Sequence, residues 1–67
     1  MAVTQKIRLY DKVELLEPVD AAPAGARGPV IHFLNGGDVA EIELTEPRPE
    51  GLDGIVYAPL SKLRRID

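Results

Sequence analysis

The 67-residue sequence predicts a small all-β domain, and three observations predict it. Its apolar segments are short and rich in β-branched and aromatic residues. Glycine or proline interrupts the chain between these segments at short intervals. No stretch of ten residues has a convincing helical period. We predict five short strands closed into a small barrel. Closure leaves few strand edges open, and it is the usual arrangement for an all-β chain of this length.

The first predicted strand covers residues 12–17, KVELLE. Val13 and Leu15 alternate with Glu14, and Pro18 ends the strand because proline cannot donate to a β-ladder. Residues 18–28, PVDAAPAGARG, place two prolines and two glycines among small residues, and they predict a long loop.

The next segments predict a hairpin. Residues 29–34, PVIHFL, form a continuous apolar run typical of a strand, and NGG supplies residues that accept positive φ in a tight turn. Residues 39–45, VAEIELT, alternate most cleanly, with Glu41 and Glu43 facing water. A slip of one residue would bury both glutamates, so the sequence predicts a well-defined register.

The last third of the chain completes the pattern. Residues 46–54 predict a proline-rich loop, residues 55–60 a fourth strand, residues 60–63 a single 3-10 turn and residues 64–66 a brief fifth strand. Five strands with a long first connection, a tight second one and a one-turn link before the last are typical of an SH3-like barrel. We therefore predict a single domain over residues 1–67, with residues 1–8 as a loosely ordered N-terminal arm.

The pattern also predicts which side chains fill the barrel. With Ile31 and Phe33 facing inward, His32 would lie on the outer face with Val30 and Leu34. The predicted core consists of Val13, Leu15, Ile31, Phe33, Ala40, Ile42, Leu44, Ile55, Tyr57 and Leu60, with Leu63 or Ile66 closing one end.

Composition excludes several classes of protein. There is no cysteine and only one histidine, so neither a disulfide nor an ordinary structural zinc site is expected. The net charge of −3 and three aromatic residues argue against nucleic-acid binding. No apolar run has the length of a membrane span, and the N-terminus lacks the apolar stretch of a signal peptide, so we expect a cytoplasmic protein without membrane contact.

Three segments carry a family resemblance: LYDKVELLEPV (residues 9–19), ARGPVIHFLNGGDVAEIELTE (26–46) and YAPLSKLRRI (57–66). Together they resemble a family of small bacterial domains of unknown function. These domains share a Leu-x-Asp-x-Val-x-Leu start and a hairpin that contains Gly-Gly. The family is also similar to KOW-type modules and to the barrel of the nitrile hydratase β-subunit. The resemblance implies an SH3-like barrel, and its KOW likeness implies RNA or ribosome contact.

No catalytic, cofactor or metal site is predicted. His32 is the natural candidate for a general base, but the motif places no serine or cysteine beside it. The acidic residues of the second half do not have the close alternate spacing of a calcium loop. A barrel of this size also lacks room for a cleft between paired carboxylates.

The two loops and the acidic strand are the predicted partner-binding elements, since recognition in small barrels is placed in their connections. The basic segment 61–65, SKLRR, is expected to offset carboxylates on adjacent strands. The predicted partner-binding residues are Ala22, Pro23, Arg48, Leu52, Tyr57, Glu41 and Glu43.

The leading functional hypothesis is a non-enzymatic protein-interaction module, such as an antitoxin-type, immunity-type or accessory-subunit partner, whose acidic face covers a basic protein. The alternative is an RNA-associated or ribosome-associated module that binds through a KOW-like loop and the basic segment 61–65, whose cations would contact phosphate. A third hypothesis is a homo-oligomeric structural protein that gains from association the core it lacks alone.

Overall fold

The computed structural model describes residues 6–20, 22–46 and 54–66, and over these ranges the chain is all-β. It forms five strands and two 3-10 turns, and the second turn comes directly before the last strand. The strands are β1 Lys12–Leu15, β2 Arg27–Leu34, β3 Val39–Glu43, β4 Ile55–Pro59 and β5 Leu63–Arg65, and the 3-10 turns are Asn35–Gly37 and Leu60–Lys62. Within these ranges, no helix has the length and apolarity to cross a membrane.

The strands form one sheet in the order β4-β3-β2-β1-β5, and each neighbouring pair is antiparallel. β2, with eight residues, is the longest of them, and it pairs with β1 over its first part and with β3 over its second. A long strand shared in this way lets the sheet curl around its own core. The fold is the small SH3-like barrel that the sequence predicts.

β2 begins at Arg27, two residues before the predicted start, so Pro29 lies inside a strand that has neighbours on both sides. The Val30 N–H donates to the Asp11 carbonyl, which lies just before β1. Backbone groups alternate in direction along a strand, so the nitrogen of Pro29 points toward β3. The β2–β3 ladder is interrupted between the Val30–Ile42 pair and the Arg27–Glu46 bridge. Pro29 lies in this gap, where its missing N–H is tolerated.

A β-bulge in β2 changes which of its residues face the core. The register with β3 shifts between Val30 and His32, which leaves Ile31 as the extra residue. Val30 and Phe33 therefore both point inward, Val30 with 0% exposure and Phe33 packed against the core. The prediction of an inward Ile31 and an outward Val30 is wrong, because it assumed unbroken alternation. Ile31 is half-buried, whereas His32 is exposed, as predicted.

The inward residues of β4 also differ from the prediction. The pairing with β3 places Val56 and Ala58 opposite its buried residues, so Ile55 and Tyr57 lie on the outside. Tyr57 is 51% exposed and Ile55 is half-buried. The predicted core positions for Ile55 and Tyr57 are therefore wrong by one residue.

The remaining core follows the sequence pattern closely. Leu63 closes one end of the barrel, while Ile66 is only half-buried, and Leu60 packs against the core from the second 3-10 turn. Ile7 also packs against the core, although it belongs to the predicted N-terminal arm. Among the described residues, the buried apolar side chains are Val13, Leu15, Ala22, Ala26, Val30, Ala40, Ile42, Leu44, Val56, Ala58 and Leu63.

The β2–β3 connection has the positive φ values predicted for its NGG turn, and the described part of the first loop has local structure of its own. The β2–β3 connection is a 3-10 turn in which Asn35, Gly36 and Gly37 all have positive φ, at 53°, 70° and 100°. In the first loop, Val19 and Ala22 exchange two backbone hydrogen bonds of 2.9 and 2.8 Å. Ala22 and Ala26 of this loop are buried, whereas the residues between them, Pro23, Ala24 and Gly25, are exposed.

Candidate protein-interaction surface

The structure separates the predicted site residues into three groups. Glu41, Glu43 and Tyr57 lie together on the outside of β3 and β4. Pro23 is exposed on the first loop, whereas Ala22, also predicted as a partner-binding residue, is only 2% exposed and lies in the core. The first loop turns Ala22 into the core through its paired backbone with Val19. The predicted residues Arg48 and Leu52 lie outside the described ranges.

The outward-facing residues of β2, β3 and β4 form a continuous surface, which we call the outer face. The strand pairing sets its rows: His32 and Tyr57 flank Glu41, Leu34 and Pro59 flank Val39, and Ile55 lies beside Glu43. The outer face consists of His32, Leu34, Val39, Glu41, Glu43, Ile55, Tyr57 and Pro59.

The outer face combines apolar and acidic side chains. Tyr57 and Leu34 are among the exposed large hydrophobic residues of the described chain, and both lie here. Glu41 and Glu43 run along its centre on β3, and exposed Asp38 comes directly before that strand. An exposed aromatic ring beside carboxylates can bind a cationic side chain both through its π face and through charge.

Charges on the opposite part of the barrel are arranged differently, because cations and carboxylates there lie on adjacent strands. Glu14 on β1 has Arg27 of β2 on one side and Arg64 of β5 on the other. Its carboxylate accepts a hydrogen bond of 2.7 Å from Arg64 Nη2 and one of 3.3 Å from Arg27 Nε. The hydrogen bond from Arg64 is the largest cause that lowers the pKa of Glu14 below its ordinary value of 4.5; partial burial opposes it and Arg27 reinforces it.

A second close pair lies nearby. Lys12 Nζ is 2.7 Å from Glu46 Oε2, and the hydrogen bond from Lys12 lowers the pKa of Glu46. Both side chains are substantially exposed, so water and salt weaken this pair.

The predicted role of the basic segment 61–65 is confirmed. Arg64 pairs with Glu14 as described above, Lys62 Nζ lies 3.7 Å from a Glu17 oxygen, and Arg65 Nε lies 3.5 Å from an Asp11 oxygen. The cations of this segment therefore face carboxylates of their own chain.

The acidic residues of the outer face have no such partners. In residues 6–20, 22–46 and 54–66, no ion pair or side-chain hydrogen bond involves Asp38, Glu41 or Glu43. Glu41 and Glu43 are half-buried and Asp38 is exposed. The carboxylates around β1 and β5, by contrast, lie within ion-pair distance of cations. This difference is the main electrostatic feature of the surface.

His32 lies beside Glu41 on the outer face and is exposed. Over the described ranges, no group of three or more histidine, cysteine or acidic side chains could hold a metal ion. Within those same ranges, no side-chain hydrogen bond or ion pair involves the His32 imidazole.

Comparison with known proteins gives no matching family model, no matching curated protein and no matching solved structure. The resemblance to the family of small bacterial domains stays a prediction.

Four apolar members of the outer face are absent from the predicted partner-binding residues: Leu34, Val39, Ile55 and Pro59. Val39 had a usable signal, because it alternates in phase with Glu41 and Glu43. Leu34 was already placed on the outer side by its alternation with Phe33, whereas Ile55 and Pro59 join the outer face through pairing with Glu43 and Val39, which the sequence does not show.

Proposed function

We propose that this chain is a non-enzymatic protein-interaction module whose outer face binds a basic surface of another protein. The observation that carries the proposal is the pair of carboxylates on β3, Glu41 and Glu43, which have no cationic partner in the described ranges. Glu41 lies directly beside half-exposed Tyr57, and Glu43 lies one row further along β3. A partner of this kind fits an antitoxin-type, immunity-type or accessory-subunit role. Charge complementarity would speed its encounter with the module.

The RNA-binding alternative has less support. It depends on the cations Lys62, Arg64 and Arg65, and each of these lies within ion-pair distance of a carboxylate of the same chain. Binding phosphate there would require breaking these pairs, while the net charge of −3 opposes approach of a polyanion.

The homo-oligomer alternative is also opposed by charge. Two copies meeting through the outer face would bring Glu41 and Glu43 of each copy toward the same residues of the other. Like charges at an interface without cations disfavour such a contact.

The test is a quantitative pull-down from the source cell extract with the proteins identified by mass spectrometry. Wild type is compared with the double variant Glu41→Gln/Glu43→Gln, which removes the two unpaired carboxylates. The matched control is Glu17→Gln/Asp20→Asn, which changes the net charge equally, from −3 to −1. Glu17 makes only a 3.7 Å pair with Lys62, and Asp20 is exposed.

We expect a specific basic protein to be retained by wild type and by the control, and to be lost with Glu41→Gln/Glu43→Gln. Raising the salt concentration from about 0.05 to 0.5 M should release it, because surface attraction is screened. Retention by all three proteins at high salt would contradict the proposal, and so would recovery of RNA in place of a protein.

A further inference from the structure

Strand β4 lies at one end of the sheet, so one of its edges has no neighbouring strand in the described part of the chain. The hydrogen-bond pattern identifies which backbone groups lie on that edge. The Leu44 N–H donates to the Gly54 carbonyl over 2.7 Å, and the Leu60 N–H donates to the Asp38 carbonyl over 3.0 Å. These bonds lie at the two ends of the β3–β4 ladder.

Antiparallel ladders alternate strictly between hydrogen-bonded and non-hydrogen-bonded pairs. With both ends fixed, Val56 and Ala58 direct their backbone groups toward β3. Ile55 and Tyr57 therefore direct their N–H and C=O groups away from β3, toward the open edge. Pro59 offers only its carbonyl there, because it has no N–H.

The open edge is next to the outer face, because Ile55 and Tyr57 belong to both. Their side chains lie on the outer face, and their backbone groups lie on the open edge. Unpaired backbone groups on an edge strand are a template for another strand. In β4, Ile55, Val56 and Tyr57 come before Ala58 and Pro59. Because Pro59 has no N–H to donate, it restricts how far an added strand can pair.

We propose that an extended, basic segment of the partner protein adds to the open edge of β4 as a further strand, with its lysine or arginine side chains on the outer face. This inference rests on the proposed function and specifies how the partner binds. Main-chain hydrogen bonds to Ile55 and Tyr57 hold the segment, and its side chains provide specificity, as in other cases of strand addition.

The position of the cations follows from the spacing of strands. An added strand lies about 4.8 Å from β4 and about 10 Å from β3. A lysine or arginine beside Tyr57 can lie over its ring and direct its charge toward Glu41 in the next row. The aromatic ring and the carboxylate then act on the same cation.

A second copy of this chain fits the edge less well. Residues 55–59 of that copy, IVYAP, bring no cation to the outer face, and its own Glu41 and Glu43 would lie nearby. Charge complementarity therefore favours a basic partner segment over self-pairing.

The test uses a synthetic octapeptide of alternating lysine and valine as the probe, with binding followed by NMR of the 15N-labelled protein. We expect the amides of Ile55 and Tyr57 to show slowed hydrogen exchange on binding. Glu41→Gln/Glu43→Gln should weaken binding at least about tenfold, because two attractive charges are lost, while Glu17→Gln/Asp20→Asn should change it less than about threefold.

Two N-methylated versions of the probe separate strand addition from simple charge attraction. In antiparallel addition the outward-facing lysines present their N–H groups to β4, and in parallel addition the valines do so. One version is methylated at the backbone nitrogens of its lysines and the other at the backbone nitrogens of its valines. Binding should therefore weaken at least about tenfold in one version only. The version that loses affinity also gives the strand direction.

If both methylated probes bind as well as the parent, strand addition is wrong, although an acidic binding surface remains. The inference also fails if the parent probe does not bind wild type or if it protects amides far from β4. The proposed function is judged separately, from the loss of the captured protein in the charge-neutralised variant.

Discussion

Gly28 of β2 lies where two strands approach too closely for any side chain. A Cβ atom at this position would overlap the carbonyl oxygen of Glu43, and it would lie 2.8 Å from the carbonyl carbon of Glu43 and 2.9 Å from Leu44 Cα. Ordinary carbon–carbon contacts are about 3.5–4.0 Å. All three of these atoms are backbone, so no side-chain rotation can relieve the overlap. We predict that Gly28→Ala is severely destabilising.

The size of the effect follows from what must move. Two backbone hydrogen bonds join Arg27 to the residues that follow β3. The Arg27 N–H donates to the Glu46 carbonyl, and the Thr45 N–H donates to the Arg27 carbonyl, each over 2.8 Å. Separating the two segments would break both bonds. Overpacking costs about 1–3 kcal/mol and each hydrogen bond about 1 kcal/mol. We therefore expect a loss of about 3–5 kcal/mol in the free energy of unfolding.

A domain of this length has a total stability of about 3–10 kcal/mol. Gly28→Ala should therefore lower the melting temperature by at least about 12 °C, or leave the chain unfolded at room temperature. Circular dichroism during thermal and urea unfolding measures both outcomes. The variant tests the spacing of β2 and β3 directly.

Gly25→Ala is the matched control, because an added Cβ at Gly25 meets no atom within 4 Å, although its φ is +91°. This backbone strain alone should cost about 1–2 kcal/mol. If Gly28→Ala is no more destabilising than Gly25→Ala, the reasoning about close approach is refuted.

Three further predictions use the same unfolding assays. Ile42→Ala should cost about 2–5 kcal/mol, because Ile42 is fully buried, whereas Tyr57→Thr should cost less than about 1 kcal/mol; equal losses would contradict the observed faces of β3 and β4. Because folding lowers the pKa of Glu14, this carboxylate stabilises the fold at pH values above its ordinary pKa of 4.5. The stabilisation is lost as the pH falls through the folded-state pKa. Glu14→Gln should therefore reduce stability at pH 7 and approach wild type on acidification, and a difference that persists at pH 2 would contradict this. Tyr10→Gly should keep or raise stability by up to about 1 kcal/mol, because Tyr10 has a φ of 72° and is 72% exposed, and a clear loss would show that its side chain makes a stabilising contact.

The sequence by itself determined the number and order of the strands. Glycine and proline separate the apolar segments through local backbone geometry, so five strands and the one-turn link before β5 could be predicted, although Gly28 and Pro29 lie inside β2. It also determined the faces of β3, because Glu41 and Glu43 alternate with Ala40 and Ile42 and only one register keeps the charges in water.

Only the tertiary structure decided the faces of β2 and β4, the two strands that pair with β3. Residues 55–59 are apolar throughout, so no alternation shows whether Tyr57 or Val56 is inside, and pairing with β3 settles the question. In β2 the bulge at Ile31 depends on the partner strand in the same way.

The tertiary structure also decided which charges are paired. Glu14 lies 13 residues from Arg27 and 50 residues from Arg64 along the chain, and strand pairing alone brings these side chains together. The same pairing leaves Glu41 beside Tyr57 without a cation in the described ranges. Local residue patterns determine strands and turns, but a binding surface depends on contacts between residues far apart in sequence, which only the folded chain establishes.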